Sequence, residues 1–95
     1  MFKLNILGEN DKVVKTYETS VIKYGLIEDL CILTKDGFDD KNVFEQIKMI
    51  KPLIKSMFVG VTDEELRNTD FIEILKVFKE IRKAALDGYG VSEKN

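Results

Sequence analysis

The side chains whose spacing most invites a chemical reading are carboxylates. The stretch VGVTDEELRNTDFIEIL, residues 59–75, carries Asp63, Glu64, Glu65, Asp70 and Glu73. Clustered acids can hold a hard cation or divide general-acid and general-base work. The pattern suits neither task. Asp63, Glu64 and Glu65 are consecutive, so on a helix they point in three directions. No D-x-D-x-D-G calcium loop occurs. A zinc site would need His or paired Cys, and the chain has no His and one Cys. Asp39-Asp40 meets the same objections. Nucleophilic catalysis at a serine or at Cys31 lacks the usual base, and no glycine-rich phosphate loop follows a strand. The reading is no catalytic residue, no cofactor and no metal ligand. Cys31, set in an apolar run, reads as a small buried hydrophobe.

Helix-start chemistry accounts for the same acids. Thr62 and Glu65 have the spacing of a capping box, with Val61 and Leu66 placed as its hydrophobic staple. Asp70 and Glu73 repeat that spacing eight residues later. Acids in a first turn are also favoured by the helix dipole. The expectation is a helix of one to two turns, then a restart at Asp70. That corner would swing the last helix back against the helix of residues 40–58.

The elements around this corner follow from periodicity. Phe2, Leu4 and Ile6 alternate with Lys3 and Asn5, as in a half-buried strand. Turn residues Gly8-Glu9-Asn10-Asp11 and a second extended run, Lys12 to Tyr17, complete a hairpin. Apolar residues at helical spacing (Ile22, Leu26, Ile27, Leu30, Leu33) predict a helix over 21–33, capped by Thr19 or Ser20 and stopped at Lys35-Asp36-Gly37. The next helix opens at Asp39 or Asp40 and ends near Phe58, with Gly60 just past it. Its stripe is Val43, Ile47, Ile50, Ile54 and Met57, widened by Phe44 and Phe58. Pro52 falls on the far side of the wheel, where one bent helix is expected in preference to a break. From Asp70, the residues Phe71, Ile74, Leu75, Phe78, Ile81 and Ala85 share a face opposite Glu73, Lys76, Lys79, Glu80 and Lys83, and Gly88 stops the helix. The fold class is α+β, mainly helical: an N-terminal β-hairpin and three to four helices on one core. Residues 1–87 form a single domain and 88–95 a flexible tail.

Four apolar residues fit no core stripe. Met49 and Leu53 lie off the stripe of their helix, Ile72 lies off that of the last helix, and Phe38 sits in a loop. These are the protein-binding candidates, because contiguous exposed apolar area marks partner sites. Bulk properties narrow the partners. The net charge is −2 with both signs interspersed, which argues against a nucleic-acid binder or a polybasic membrane anchor. No apolar run approaches the ~18 residues of a membrane span, and the N-terminus lacks a signal-peptide core. A cytoplasmic protein is expected.

The order of parts resembles a known family. A short hairpin, a helix and a charged loop precede an amphipathic helix ending IKMIKPLIKSMFVG, which VTDEELRNTDFIEILKVFKEI follows. This is similar to the small tail assembly chaperones of long-tailed, siphovirus-type bacteriophages and prophages of Gram-positive bacteria, over residues 2–86. The resemblance rests on apolar and capping positions. It implies a non-enzymatic module that binds the aggregation-prone tape measure protein, recruits tail tube subunits and is absent from the finished virion. It also implies self-association as an alternative to tape measure binding, and a ribosomal frameshift that extends some copies. The rival reading is a small regulatory or adaptor domain of helical DNA-binding or anti-repressor type. Against it, Lys76, Lys79, Arg82 and Lys83 are interspersed with Glu73 and Glu80.

Overall fold

The computed structural model describes residues 1–88. An N-terminal hairpin pairs β1 (Phe2–Leu7) antiparallel with β2 (Val13–Thr19), and four helices follow: α1 (Tyr24–Lys35), α2 (Val43–Met57), α3 (Asp63–Leu66) and α4 (Phe71–Gly88). The α+β, mainly helical class is as expected. The hairpin closes through a 3-10 turn, Glu9–Asp11, in which Asn10 and Asp11 both adopt φ 58°. Asn and Asp tolerate that left-handed conformation better than most residues. Register runs from Phe2 opposite Thr19 to Ile6 opposite Lys15, then shifts, leaving Val14 as the extra residue of a bulge.

Leu4 and Ile6 point from β1 into a core completed by Leu26, Leu30 and Leu33 of α1, Ile50, Leu53, Ile54 and Met57 of α2, and Val77, Phe78 and Ile81 of α4. A two-stranded sheet is marginal alone, and α4 packs along β1 to cover it. The outer edge of β1 is closed as well. The Leu7 N–H donates to the Asn68 carbonyl at 2.8 Å, and the Asn5 N–H donates to Glu73 Oε1 at 3.0 Å. An unpaired strand edge would otherwise expose these donors.

Several boundaries differ from the sequence reading. α1 begins at Tyr24 after Lys23 and has no side-chain cap. Thr19 instead makes a local turn, its Oγ1 accepting from the Val21 N–H at 3.2 Å. α2 is capped by Asn42, whose Oδ1 accepts from the Glu45 N–H at 2.9 Å. Asp39 and Asp40 lie in a preceding 3-10 turn, Phe38–Asp40. Gly37 at φ 81° makes that turn feasible, since only glycine adopts this conformation without strain. α2 runs unbroken through Pro52, which is exposed. Residues 89–95, most of the expected tail, lie outside the described residues.

The buried faces are rotated from those expected. On α2 the core takes Leu53, while Val43, Phe44 and Ile47 are exposed. α1 packs on the Leu53 side, and α4 leaves the Ile47 side partly uncovered. On α4, Val77 is buried and Phe71 is half out of the core, because the helix leans toward β1. That lean also draws Glu73 out of the solvent-facing row to which it had been assigned.

Candidate protein-interaction site

Four of the five acids of the 63–73 stretch have a structural partner for the carboxylate, while Glu64 contributes its backbone carbonyl, which accepts from Asn68 Nδ2 at 2.9 Å. The capping box is complete: the Glu65 N–H donates to Thr62 Oγ1 at 3.1 Å, and the Thr62 N–H donates to Glu65 Oε1 at 3.0 Å. The same carboxylate accepts from the Tyr17 hydroxyl at 2.6 Å and pairs with Lys15 at 3.3 Å, pinning the corner to β2. The Tyr17 hydroxyl, the Thr62 N–H and Lys15 together hold the Glu65 carboxyl below its ordinary value of 4.5. Tyr17 and Glu65 in turn raise Lys15 above 10.5. Asp63 pairs with Lys55 at 2.7 Å and Lys51 at 3.4 Å, which lowers its pKa from 3.8.

The second helix start is built differently. Asp70 Oδ1 accepts from the Ile72 N–H at 2.9 Å, so Asp70 caps α4. Glu73 does not reach back to complete a box. Its two oxygens accept from the backbone N–H and the side-chain Nδ2 of Asn5, both at 3.0 Å, and Thr16 Oγ1 donates to Asn5 Oδ1 at 2.8 Å. This acid joins α4 to the hairpin. Among the described residues, no group of three or more His, Cys, Asp or Glu could hold a metal ion.

The four contact candidates are scattered. Leu53 is 2% exposed and Phe38 5% exposed, so both belong to the core, and neither can meet a partner without unfolding. Phe38 looked like a loop residue, but its 3-10 turn inserts the ring against Phe78, with centroids 5.1 Å apart. Arg82 lies over both rings and meets Asp39 at 3.3 Å. Met49 is half-buried against the core. Ile72 alone is fully at the surface. Cys31, expected inside, is exposed on the outer face of α1 beside Ile32, because the burial of α1 is centred on Leu26, Leu30 and Leu33.

The surface that does gather apolar side chains escaped the sequence reading. A groove of about 320 Å³ opens between α2, α3 and α4, at the lower end of the ~300–1,000 Å³ typical of binding clefts. Ile50, Ile54, Leu66 and Ile74 form its floor, and Ile47 and Phe71 form its walls. Those walls are 44% and 49% exposed, and Val43 and Phe44 extend the apolar surface along α2. The rim carries three cations, Lys48, Lys51 and Arg67, against one carboxylate, Asp63. This local excess of positive charge stands on a chain of net charge −2. The available signal was the width of the apolar stripes: α2 and α4 carry more apolar residues than one contact face can cover.

Among the described residues, no helix is long and apolar enough to cross a membrane. Set against protein-family models, curated proteins and solved structures, the chain matches none of them.

Proposed function

We propose that this chain is a small non-enzymatic binding module of the tail assembly chaperone type. It acts in the cytoplasm, shields apolar helical segments of a tape measure protein and recruits tail tube subunits. The observation that carries the reading is the apolar groove walled by Ile47 and Phe71. An amphipathic helix laid in such a groove buries its apolar face at i, i+3, i+4 and i+7 spacing. Covering such side chains removes apolar area from water, the dominant favourable term in most protein association.

The chemistry of the acids supports the same reading, because the carboxylates of Asp63, Glu65, Asp70 and Glu73 serve caps, ion pairs and the hairpin tie. The DNA-binding alternative draws less support. On α4, Arg82 is held by Asp39 and Lys83 by Asp87 at 3.7 Å, which leaves fewer free cations for phosphates.

Co-expression tests the proposal. A tape measure fragment that is insoluble alone becomes soluble with the wild-type chain and stays insoluble with Phe71→Glu. Equal insolubility in both cases would count against a shielding role. Retention of nonspecific DNA in a low-salt gel shift would favour the rival.

A further inference from the structure

The two edges of the hairpin differ. Along β1, the outward N–H groups of Asn5 and Leu7 are closed by Glu73 and by the Asn68 carbonyl. Opposed residues of an antiparallel pair turn their main-chain groups both inward or both outward. Thr16 stands opposite Asn5, and Glu18 stands opposite Lys3. Both therefore aim their N–H and C=O groups away from β1, and among the described residues those groups have no hydrogen-bond partner. Nearer the turn, the bulge at Val14 and the side chains of Lys12 and Lys15 are devices that discourage strand pairing. The end from Thr16 to Thr19 has neither a bulge nor a lysine.

That end borders a cavity of about 420 Å³, floored by the buried side chains of Leu26, Met57 and Phe58. Gly25 lines it too, and a methyl group there would have no atom within 4 Å. Glycine inside a helix is a poor choice on propensity alone, and here it keeps one wall of the cavity bare. Lys12 and Lys23 stand just before and just after β2, and among the described residues neither makes an ion pair. Lys15 and Glu18 are held by Glu65 and Lys3. Asp29, the remaining charge at the cavity, is shared with the depression on the outer face of α1.

We propose that the free edge of β2 takes an extended peptide segment of a partner protein as a third strand. Its main chain pairs with Thr16 and Glu18, a bulky apolar side chain enters the cavity over Leu26, Met57 and Phe58, and acidic residues at its ends meet Lys12 and Lys23. The occupant follows from the edge itself. Donors and acceptors repeat there at every second residue, roughly 7 Å apart, a spacing that an extended main chain matches. Main-chain bonds then give affinity, and the cavity gives side-chain selectivity. The site shares no lining residue with the groove of α2, α3 and α4, so it takes a strand while the groove takes a helix.

Fluorescence anisotropy on the full chain tests this. The probe is a short labelled peptide with aspartate at each end and valine and leucine alternating with threonine between. Glu18→Pro removes an outward N–H without touching the β1–β2 ladder, a place where a strand tolerates proline. Gly25→Leu fills the cavity and puts a better helix former into α1, so it does not weaken the fold. Circular dichroism confirms that both variants keep the wild-type helix content. The wild type should bind saturably, with amide shifts at Thr16 and Glu18. Each variant should bind at least about tenfold more weakly, and Phe71→Glu should bind like the wild type. No saturation up to roughly 1 mM peptide, or shifts confined to the groove, would overturn the proposal. Binding that survives Glu18→Pro removes the strand pairing, and binding that survives Gly25→Leu removes the cavity; either result overturns it. A wild type that dimerises, with the dimer lost in Glu18→Pro, would give the edge to a second copy and overturn it as well. Peptide binding alongside a failed rescue of the tape measure fragment leaves this inference standing and counts against the client reading alone.

Discussion

Replacing Glu73 by alanine separates two accounts of the second helix start. In the structure, its carboxylate accepts from the Asn5 N–H and Asn5 Nδ2, both at 3.0 Å and both partly buried. A hydrogen bond to a charged group contributes about 1.5–3 kcal/mol when well buried, and about 1 kcal/mol is reasonable for each of these. Glu73→Ala should therefore cost roughly 2 kcal/mol, partly because the Asn5 N–H at the strand edge is left without its partner. That is a large share of the roughly 5–14 kcal/mol expected for 95 residues, and it corresponds to a fall in Tm of about 10 °C. Urea unfolding followed by far-ultraviolet circular dichroism measures the loss, with the m-value unchanged. Double-mutant cycles then assign it. Glu73 should couple to Asn5→Ala by about 0.5–1.5 kcal/mol and should show almost no coupling to Asp70→Ala. Strong coupling to Asp70 with none to Asn5 would mean that Glu73 is a capping residue after all, and the tie between α4 and the hairpin would be refuted.

Three further outcomes can be measured on the same footing. Thr62→Ala removes the cap of α3 and should cost about 1 kcal/mol in the same unfolding assay. Phe38→Ala should cost about 3–5 kcal/mol because it empties a core site, whereas Ile72→Ala at the surface should change stability by no more than about 0.5 kcal/mol. Because Glu65 and Asp63 have carboxyls below their ordinary values of 4.5 and 3.8, their stabilisation is complete above those values. It is lost as pH falls through the lowered folded values. Equilibrium unfolding from about pH 7 to pH 3 should show that loss, and Glu65→Gln, which keeps an acceptor for the Thr62 N–H, should flatten the acid limb.

Much of the fold was legible because local chemistry decides it. The alternation of Phe2, Leu4 and Ile6 sets the strand, Gly37 sets the end of α1, and Thr62 with Glu65 sets the corner. These are interactions within a few residues of each other. Misreadings arose wherever a distant element decides the outcome. Leu53 and Val43 are equally apolar, and only the position of α1 makes Leu53 core and Val43 surface. Glu65 and Glu73 stand at the same offset from a good cap residue. Asn5, 68 positions away in sequence, claims one of them. Phe38 follows a glycine and precedes two aspartates, a loop composition, yet a single 3-10 turn buries its ring. The groove went unseen for the same reason. Ile47 and Phe71 carry the pattern of core residues, and they are exposed because α4 packs more on β1 than on α2.

The central claim is that this groove receives an apolar helix. Titrating an isotope-labelled chain with a helical tape measure peptide, and following its amide resonances, tests the claim residue by residue. The account predicts saturable shifts at Ile47, Lys51, Leu66, Phe71 and Ile74, and their loss in Phe71→Glu. An unchanged spectrum, or shifts confined to the hairpin, would contradict it.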